Sequence, residues 1–279
     1  MGHIVWLASY PKSGNTWLRA FLANLIADRR DPLPLAELAR YCEDEALPEH
    51  YSALAGRPSA ELDFDEITRL RPQVHARIAA SHAGTVLVKT HNRAASIDGY
   101  PLHNPDVGAA AIYIVRNPLD VAVSMTEHFG LTLDEAIDYL GADNAGTLND
   151  ALYVSQSLGA WSQHVASWAD QAGPRLLVLR YEDMLEKPGK TLAKAARLVA
   201  PTADSARIDR AMKHASFREL SQLERRDGFA ERSAKSTKQF FRVGRANQWR
   251  EVLSRAQVER VVAAHRVQMA RFKYVPPGY

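Results

Sequence analysis

Short apolar runs alternate with amphipathic stretches along this chain. Four runs are apolar almost throughout, as strands buried on both faces of a sheet are, and they cover Ile4–Ser9, Thr85–Lys89, Ala110–Val115 and Leu176–Tyr181. Segments with helical spacing of apolar positions lie between and after them, at Thr16–Ala27, Leu119–Phe129, Ser155–Asp170 and Lys190–Val199. This alternation predicts an α/β fold in which a central parallel sheet carries helices on both faces.

Two longer segments interrupt the alternation. Residues 31–80 contain several prolines and a patchy helical pattern, and residues 131–151 are rich in Gly, Asn and Asp. Segments of this kind in α/β enzymes often form lids or walls of a ligand site, although plain surface loops have the same composition. Because the sequence contains no internal repeat, low-complexity segment or interdomain linker, we predict a single domain over residues 1–279.

Composition places the chain among ordinary globular proteins. Of its 279 residues 46% are hydrophobic and 24% are charged. No apolar run is long enough to predict a transmembrane helix, and the N-terminus has no features of a secretory signal. The lone Cys42 cannot form an intrachain disulfide, which fits a reducing compartment. We therefore expect a cytoplasmic protein, and no Cys/His cluster predicts a metal site.

The net charge of +3 conceals an uneven distribution. Residues 207–279 contain 17 Lys/Arg and 7 Asp/Glu, so the rest of the chain is acidic. A basic third could bind nucleic acid, an anionic membrane or a polyanionic small molecule, or it could form a solvated helical surface. Aromatic residues are not interleaved with the basic ones and no nucleic-acid-binding motif is present, so no nucleic-acid partner is expected.

A candidate anion site follows the first strand. Residues 10–16, with the sequence YPKSGNT, form a tight loop that opens the first helix. Backbone N–H groups and the helix dipole favour a phosphate at such a position, and Lys12 adds a point charge. The loop is not a Walker A motif, because Lys12 precedes Gly14 and the first glycine is absent. By composition alone it could also be an ordinary strand-to-helix turn.

Polar residues also end the next two strands. His91 follows Lys89 and Thr90, and its imidazole suits general base catalysis because its pKa is near neutral, although a lone histidine is more often structural. Arg116 ends the third strand, and Ser124 lies eight residues further along a helix that Pro118 would begin. An arginine fork and a hydroxyl can hold a phosphate monoester, but an exposed arginine and a helical serine are also common.

The motifs in these three places resemble one family. The string YPKSGNTW at residues 10–17 resembles the phosphosulfate-binding loop of sulfotransferases that use 3′-phosphoadenosine 5′-phosphosulfate (PAPS). The string VKTH at residues 88–91 resembles the segment whose histidine deprotonates the acceptor hydroxyl, and RNPLDVAVS at residues 116–124 resembles the 3′-phosphate-binding segment. This second phosphate distinguishes PAPS from ordinary nucleotides.

Weaker matches extend the resemblance to about residue 249. Residues 159–168 resemble the helix before the family's fourth core strand, and residues 179–184 resemble its Tyr-Glu-Asp-Met/Leu signature. Residues 215–217 resemble its Thr-Ser-Phe string, and residues 241–249 resemble its C-terminal lid. The sequence departs from the family where Ala215 replaces a hydroxyl and Val243 replaces a lysine, for which Arg245 is a candidate substitute. The dimerisation motif of the animal enzymes is matched only partly at residues 250–259, so the oligomeric state stays open.

The resemblance implies a P-loop-NTPase-like three-layer fold and sulfuryl transfer from PAPS to an acceptor hydroxyl, with no metal required. It implies that His91 is the base, that Lys12 stabilises the leaving phosphate and that Lys89 stabilises the sulfuryl oxygens. It also implies that Trp17, Tyr181 and Phe217 surround the adenine. The implied PAPS-binding residues are Lys12, Ser13, Gly14, Asn15, Thr16, Trp17, Arg116, Ser124, Tyr181, Ser216, Phe217, Arg242 and Gly244. The two inserts are candidate walls or lids of the acceptor site.

The acceptor is left open by the sequence, since phenols, sterols, sugars and peptide scaffolds all carry suitable groups. Two other classes of function remain. A P-loop kinase of small molecules would need acids that hold Mg²⁺, for which Asp120 and Asp183 are the candidates. A non-catalytic nucleotide- or carbohydrate-binding module would need no histidine at position 91.

Overall fold

The elements alternate as the sequence pattern predicts. The computed structural model describes residues 2–171, 175–232, 239–241 and 244–279. The strands are β1 His3–Ser9, β2 Glu43–Asp44, β3 Thr85–Thr90, β4 Ser96–Ile97, β5 Tyr100–Pro101, β6 Gly108–Val115, β7 Gly146–Thr147, β8 Gln156–Ser157 and β9 Leu176–Arg180. The helices are α1 Asn15–Ala27, α2 Pro48–Ala55, α3 Phe64–Ala80, α4 Pro118–Phe129, α5 Leu133–Gly141, α6 Trp161–Ala169, α7 Tyr181–Glu186, α8 Pro188–Val199, α9 Ser205–His214, α10 Phe217–Asp227 and α11 Arg255–Arg271. Short 3-10 helices cover Leu35–Arg40, Ser59–Glu61 and Gln248–Glu251.

The central sheet has five strands in the order β2-β3-β1-β6-β9, and all its neighbours are parallel. This confirms the predicted parallel sheet. Ala8 is opposite Thr90 on one side and Tyr113 on the other, so β1, β3 and β6 end at the same edge. The anion loop, His91 and Arg116 therefore all leave the sheet at its carboxyl edge, where α/β sheets bind ligands.

Successive residues of β1 pack alternately into two hydrophobic cores, one on each face of the sheet. Ile4, Trp6 and Ala8 pack with α3, α4, α5, α6 and α11, whereas Val5 and Leu7 pack with α1, α8, α9 and α10. Most residues of β1, β3 and β6 are buried on one face or the other, which explains why these strands read as continuous apolar runs. The result is a three-layer arrangement with helices on both faces, as predicted.

Two predicted boundaries are wrong. The helix predicted over Ser155–Asp170 begins only at Trp161, because residues 156–157 form a strand and Gly159 has a left-handed φ of 66° that interrupts a helix. The last strand ends at Arg180, so Tyr181, predicted as its final residue, begins α7 instead. This places the Tyr181 ring beyond the sheet, over the anion loop.

The first insert is part of the sheet. Within residues 31–80, Glu43 and Asp44 form the short edge strand β2, which pairs with Val88 and Lys89 of β3. The sequence did not predict this strand, since two acidic residues carry no strand pattern. The insert also supplies α3, whose N-terminus is fixed by a capping box of Asp63 and Glu66. In the second insert, α5 packs against α4 and α11.

The basic C-terminal third is matched by acidic residues elsewhere. Arg260 on α11 forms ion pairs with Asp134 and Asp138 of α5, and Arg271 pairs with Asp170. These pairs account for part of the charge asymmetry as contacts between elements. No helix among the described residues is long and apolar enough to cross a membrane.

Candidate active site

The loop between β1 and α1 has the form of an anion cradle. Gly14 has a φ of 100°, and a Cβ added there would lie 2.6 Å from the Tyr181 ring, so both the backbone and the space require glycine. No side chain in the described part of the chain caps α1, so its first N–H groups remain available at the positive end of the helix dipole. The Ser13 hydroxyl is buried without a hydrogen-bond partner among the described residues. An anionic ligand would satisfy these donors.

Arg116 connects this loop to the end of β6. Its Nη1 donates to the carbonyl oxygen of Lys12 at 2.7 Å, and its guanidinium lies 4.4 Å from the centre of the Tyr181 ring. Its buried Nε has no hydrogen-bond partner in the part of the chain that the structure describes. The Lys12 ammonium lies 4.4 Å from the centre of the Phe240 ring. Two cationic side chains therefore flank the cradle, and Arg116 retains an unused donor.

The protein places a carboxylate of its own beside the cradle. The Thr16 hydroxyl donates to Glu231 at 3.1 Å, and Arg19 forms an ion pair with the same carboxylate at 2.6 Å. Burial raises the pKa of Glu231, but the charge of Arg19 outweighs this effect and lowers the pKa to about 2. This carboxylate is therefore anionic. The Asn15 side chain donates to the carbonyl oxygen of Leu7 at 2.8 Å and anchors α1 to β1. Thr16 thus already binds an oxyanion in this structure.

His91 is held as one tautomer. Its Nδ1 lies 2.7 Å from the carbonyl oxygen of Ser9, which can only accept, so we assign the proton to Nδ1 and the lone pair to Nε2. The His91 backbone N–H donates to Gln156, and its carbonyl oxygen accepts from His164. Burial and the positive charge of Lys89 lower the pKa of His91 to about 3. The imidazole is therefore neutral at physiological pH, with Nε2 able to accept a proton.

Lys89 is buried beside this histidine. Its ammonium donates to the Asp44 carboxylate at 2.7 Å and lies 5.1 Å from the centre of the Tyr153 ring. Burial lowers the pKa of Lys89, but the charge of Asp44 outweighs this effect and holds the pKa above its ordinary value. Lys89 is thus fixed as a cation next to His91. Its proposed contact with sulfuryl oxygens stays a prediction.

We expect the His91 imidazole to remain neutral from pH 8 to pH 5 in the ligand-free protein, because a pKa of about 3 places its protonation well below this range. The measurement is a titration of histidine ¹⁵N resonances by NMR. The same protein unfolded in urea provides the control, since histidines there titrate near pH 6.5. Protonation of folded His91 with a midpoint above pH 5 would contradict the assignment.

The second phosphate site predicted at Arg116 and Ser124 lies at the start of α4. Pro118 occupies the first position of this helix, as predicted, and Ser124 lies half-buried on its second turn. The buried Asp120 carboxylate accepts hydrogen bonds from the N–H groups of Asn247 at 2.7 Å and Trp249 at 3.1 Å. Asp120 thereby fixes the C-terminal segment 244–249 against α4.

Aromatic residues predicted to surround adenine lie together. Trp17 donates from Nε1 to the carbonyl oxygen of Ala215 at 2.8 Å, and its ring centre lies 5.0 Å from that of Phe217 and 5.9 Å from that of Tyr181. Gly244 has a φ of 56°, and a Cβ added there would lie 2.4 Å from the Phe217 ring. The structure therefore brings Gly244 against this aromatic cluster.

The remaining predicted residues are placed as follows. Ser216 is the N-cap of α10 and accepts a hydrogen bond from the N–H of Glu219 at 3.3 Å, so its hydroxyl has a structural role. Arg242, like Val243, lies outside the described residues. Arg245, the candidate substitute for the missing lysine, forms an exposed ion pair with Glu251. Its proposed phosphate contact stays a prediction.

Several residues at the site were missed by sequence reasoning. Asp44 binds Lys89, Gln156 binds the His91 backbone, and Glu231 binds Thr16. Glu45 and Asn92 lie directly beneath the His91 segment. These residues are far apart along the chain or belong to no motif, so no spacing signal marks them. Among the residues described, no group of three or more His, Cys, Asp or Glu is placed to hold a metal ion.

Comparison with known proteins identifies the family. The sequence model described as "Sulfotransferase domain" matches residues 3–273. The chain therefore belongs to the sulfotransferase family, which confirms the predicted class of enzyme. Mouse sulfotransferase 1B1 is 25% identical over 274 residues, covering 96% of this chain and 83% of that protein. Dog sulfotransferase 1A1 is 24% identical over 282 residues, covering 94% and 82%.

Two solved structures of PAP complexes have a similar fold. Retinol dehydratase in a complex with retinol and PAP, the desulfated product of PAPS, matches with a TM-score of 0.64 and 20% identity, over 95% of this chain and 81% of that one. Mouse sulfotransferase SULT7A1 complexed with PAP matches with a TM-score of 0.60 and 21% identity, over 96% and 85%. These similarities confirm the predicted P-loop-NTPase-like α/β fold.

Proposed function

We propose that this sulfotransferase moves a sulfuryl group from PAPS to the hydroxyl of a small-molecule acceptor, with His91 as the general base. The observation that carries the proposal is the tautomer of His91, whose Nδ1–H is bound to Ser9 and whose Nε2 is left to take a proton. Ser9 also ends the strand that leads into the anion cradle. The base and the anion cradle are therefore coupled through one residue.

The described residues fit PAPS at both ends of the nucleotide. The first N–H groups of α1, Ser13 and Lys12 would hold the phosphosulfate, and Arg116 with Ser124 would hold the 3′-phosphate. The unpartnered donors of Ser13 and Arg116 support this assignment. PAP in the structures of retinol dehydratase and SULT7A1 gives independent support for this class of co-substrate.

The proposed reaction follows from this arrangement. The acceptor oxygen attacks sulfur as His91 Nε2 takes the hydroxyl proton. A new S–O bond forms while the S–O bond to the 5′-phosphate breaks, and PAP leaves with the electron pair. Lys12 and the loop N–H groups stabilise the charge that develops on this phosphate. Because the transition state is loose, positioning and electrostatics account for most of the rate increase. Glu231 must leave Thr16 before the phosphosulfate can bind there.

The acceptor in this proposal is a small molecule. Solved structures of retinol dehydratase contain androsterone or retinol in addition to PAP. In this chain Lys89, two residues before His91, contacts both Asp44 and Tyr153, and Asp44 comes from the first insert. We propose that this insert forms one wall of the acceptor site.

We further propose that residues 1–279 act as one domain in the cytoplasm. The first insert supplies a strand to the central sheet through the pairing of β2 with β3, which supports a single domain. Cys42 is a buried free thiol, and burial raises its pKa to about 12. An inert thiol with no second cysteine in the sequence fits a reducing compartment.

The structure gives the kinase alternative little support. Both oxygens of Asp120 accept backbone hydrogen bonds from residues 247 and 249, and Asp183 is paired with Arg180 at 2.9 Å. Neither carboxylate is thus available to hold Mg²⁺ without giving up a contact. The binding-module alternative does not account for the base-competent tautomer of His91.

Thermal unfolding in the presence of different nucleotides tests the proposal. At a PAP concentration about 100-fold above Kd we expect Tm to rise by about 4–6 °C, because only the folded protein binds the ligand. AMP, and ATP with Mg²⁺, are the control ligands. Each should raise Tm by less than PAP does, because neither carries a 3′-phosphate. An equal or larger shift with ATP and Mg²⁺ would favour the kinase and contradict the proposal.

A further inference from the structure

A buried carboxylate lies beneath the end of β3. Glu45 follows the edge strand β2 and has no solvent exposure. It belongs to the first insert and to none of the motifs that resemble the family. Its two oxygens accept hydrogen bonds from four side chains, which belong to α3 and to the segment around His91. The group therefore links the insert to the candidate base.

One oxygen of Glu45 anchors it to α3. Oε2 accepts from Arg71 Nη1 at 3.1 Å and lies 2.6 Å from His75 Nε2. His75 Nδ1 accepts from the N–H of Asn104, so its proton is on Nε2 and is donated to the carboxylate. Burial raises the pKa of Glu45, but the charge of Arg71 and the hydrogen bond from His75 outweigh this effect and hold the pKa well below its ordinary value. Glu45 is thus an ionised, fixed acceptor.

The other oxygen binds both neighbours of His91. Oε1 accepts from the hydroxyl of Thr90 and from Asn92 Nδ2, the latter at 2.8 Å. The Asn92 N–H in turn donates to the Thr90 hydroxyl at 3.1 Å. One buried oxygen atom therefore fixes the residue before His91 and the residue after it.

The orientation of His91 depends on these two residues. Its imidazole is tied to the rest of the protein through the 2.7 Å bond from Nδ1 to Ser9, on a different strand. A shift of a few tenths of an ångström in residues 90–92 would lengthen that bond and allow the proton to move to Nε2. Nε2 of the imidazole would then present an N–H group, instead of a lone pair, to the hydroxyl that receives the sulfuryl group.

We propose that Glu45 is a positioning residue for His91, and that its carboxylate maintains the base-competent tautomer without touching the substrate. This inference rests on the proposed role of His91. Charge-assisted hydrogen bonds to a buried carboxylate are strong and directional, so they suit this task. Loss of such positioning typically costs up to about 10²-fold in rate.

The direct test is Glu45→Gln, which keeps the shape of the side chain and removes its charge. We expect kcat to fall by about 10- to 30-fold, while the Kd of PAP changes by less than about twofold. Activity is measured with ³⁵S-labelled PAPS and the best acceptor from a screen of phenols, sterols and sugars. PAP binding is measured by calorimetry. The ¹⁵N resonances of His91 should show mixed protonation of Nδ1 and Nε2.

A second pair of variants covers the case in which Glu45→Gln does not fold. Thr90→Val removes the hydroxyl that binds Glu45, and Thr90→Ser retains it, so the serine variant should restore the rate and the single tautomer. Thr68→Val is the matched control, because Thr68 is also buried and, within the part of the chain that the structure describes, its hydroxyl donates only to Phe64 of α3. It should lower Tm without changing the His91 resonances.

An unchanged His91 tautomer in both Glu45→Gln and Thr90→Val would overturn the inference. Equal losses of kcat in Thr68→Val and Thr90→Val would also overturn it, since the effect would then be general destabilisation. A failure of the proposed function is separate and is recognised by the absence of PAP binding in the wild-type protein. The tautomer readout needs neither PAPS nor an acceptor.

Discussion

Replacing His91 by alanine is expected to lower kcat by about 10²–10⁴-fold, the range that a single general base contributes. The variant loses the only atom placed to take the acceptor proton in the proposed mechanism, Nε2 of the neutral imidazole. PAP should bind to it with a Kd close to that of the wild type, because His91 contacts Ser9, Gln156 and His164 but belongs to neither proposed phosphate site. Turnover of ³⁵S-labelled PAPS and calorimetry with PAP measure the two quantities.

The control for this variant is His265→Ala. His265 is also buried, and its Nδ1 lies 3.1 Å from the Ser162 hydroxyl, where α11 packs against α6. The His265→Ala variant should have a lower Tm, because a buried side chain is removed, and a kcat near the wild-type value. If His91→Ala retained more than about a tenth of the wild-type kcat, His91 would not be the base.

Replacing Arg116 by alanine is expected to raise the Kd of PAP by about 10- to 100-fold, since a charge-assisted hydrogen bond to phosphate contributes about 1.5–3 kcal/mol. The side chain has a second effect, because its bond to the Lys12 carbonyl fixes the shape of the anion loop. Arg116→Lys keeps the charge but loses the fork, so its Kd should lie between those of the wild type and the alanine variant. Calorimetry with PAP measures all three.

Arg175→Ala is the matched control for charge. Arg175 lies at the opposite edge of the sheet, just before β9, and its exposed guanidinium contacts the carbonyl oxygen of Ala109. Its removal changes the net charge by the same amount and should not change PAP binding. An equal Kd for the Arg116→Ala variant and the wild type would refute the phosphate role of Arg116.

The core of the fold could be predicted because its strands are buried on both faces. The apolar runs of β1, β3 and β6 left no alternative to a covered parallel sheet, and the observed bounds differ by one or two residues. The edge strand β2 could not be predicted, since Glu43 and Asp44 pair with β3 through backbone atoms and carry no apolar pattern. The error at residues 155–160 arose because apolar residues keep a helical spacing on both sides of Gly159. The left-handed backbone of Gly159 cannot be part of a helix.

The candidate site was predictable where a local string carries its chemistry. His91 and Arg116 could be named because each directly follows a strand within a recognisable motif. The tautomer of His91 could not be named, because it depends on a carbonyl oxygen 82 residues away and on the register of β1 with β3. The contact of Arg19 with Glu231 spans 212 residues and has no sequence signal. Motifs thus identified the chemistry, and long-range contacts set its geometry.

The central position of β1 has a consequence for how the protein folds. Among the described residues, this first strand pairs with β3 and β6, whose residues follow it by eighty or more positions. Such non-local pairing closes long loops before any ladder forms, which slows folding and makes it cooperative. The N-terminal loop, although it is synthesised first, can acquire its final shape only when Arg116 reaches Lys12. During synthesis, the final shape of this loop therefore follows, and cannot precede, the pairing of β6 with β1.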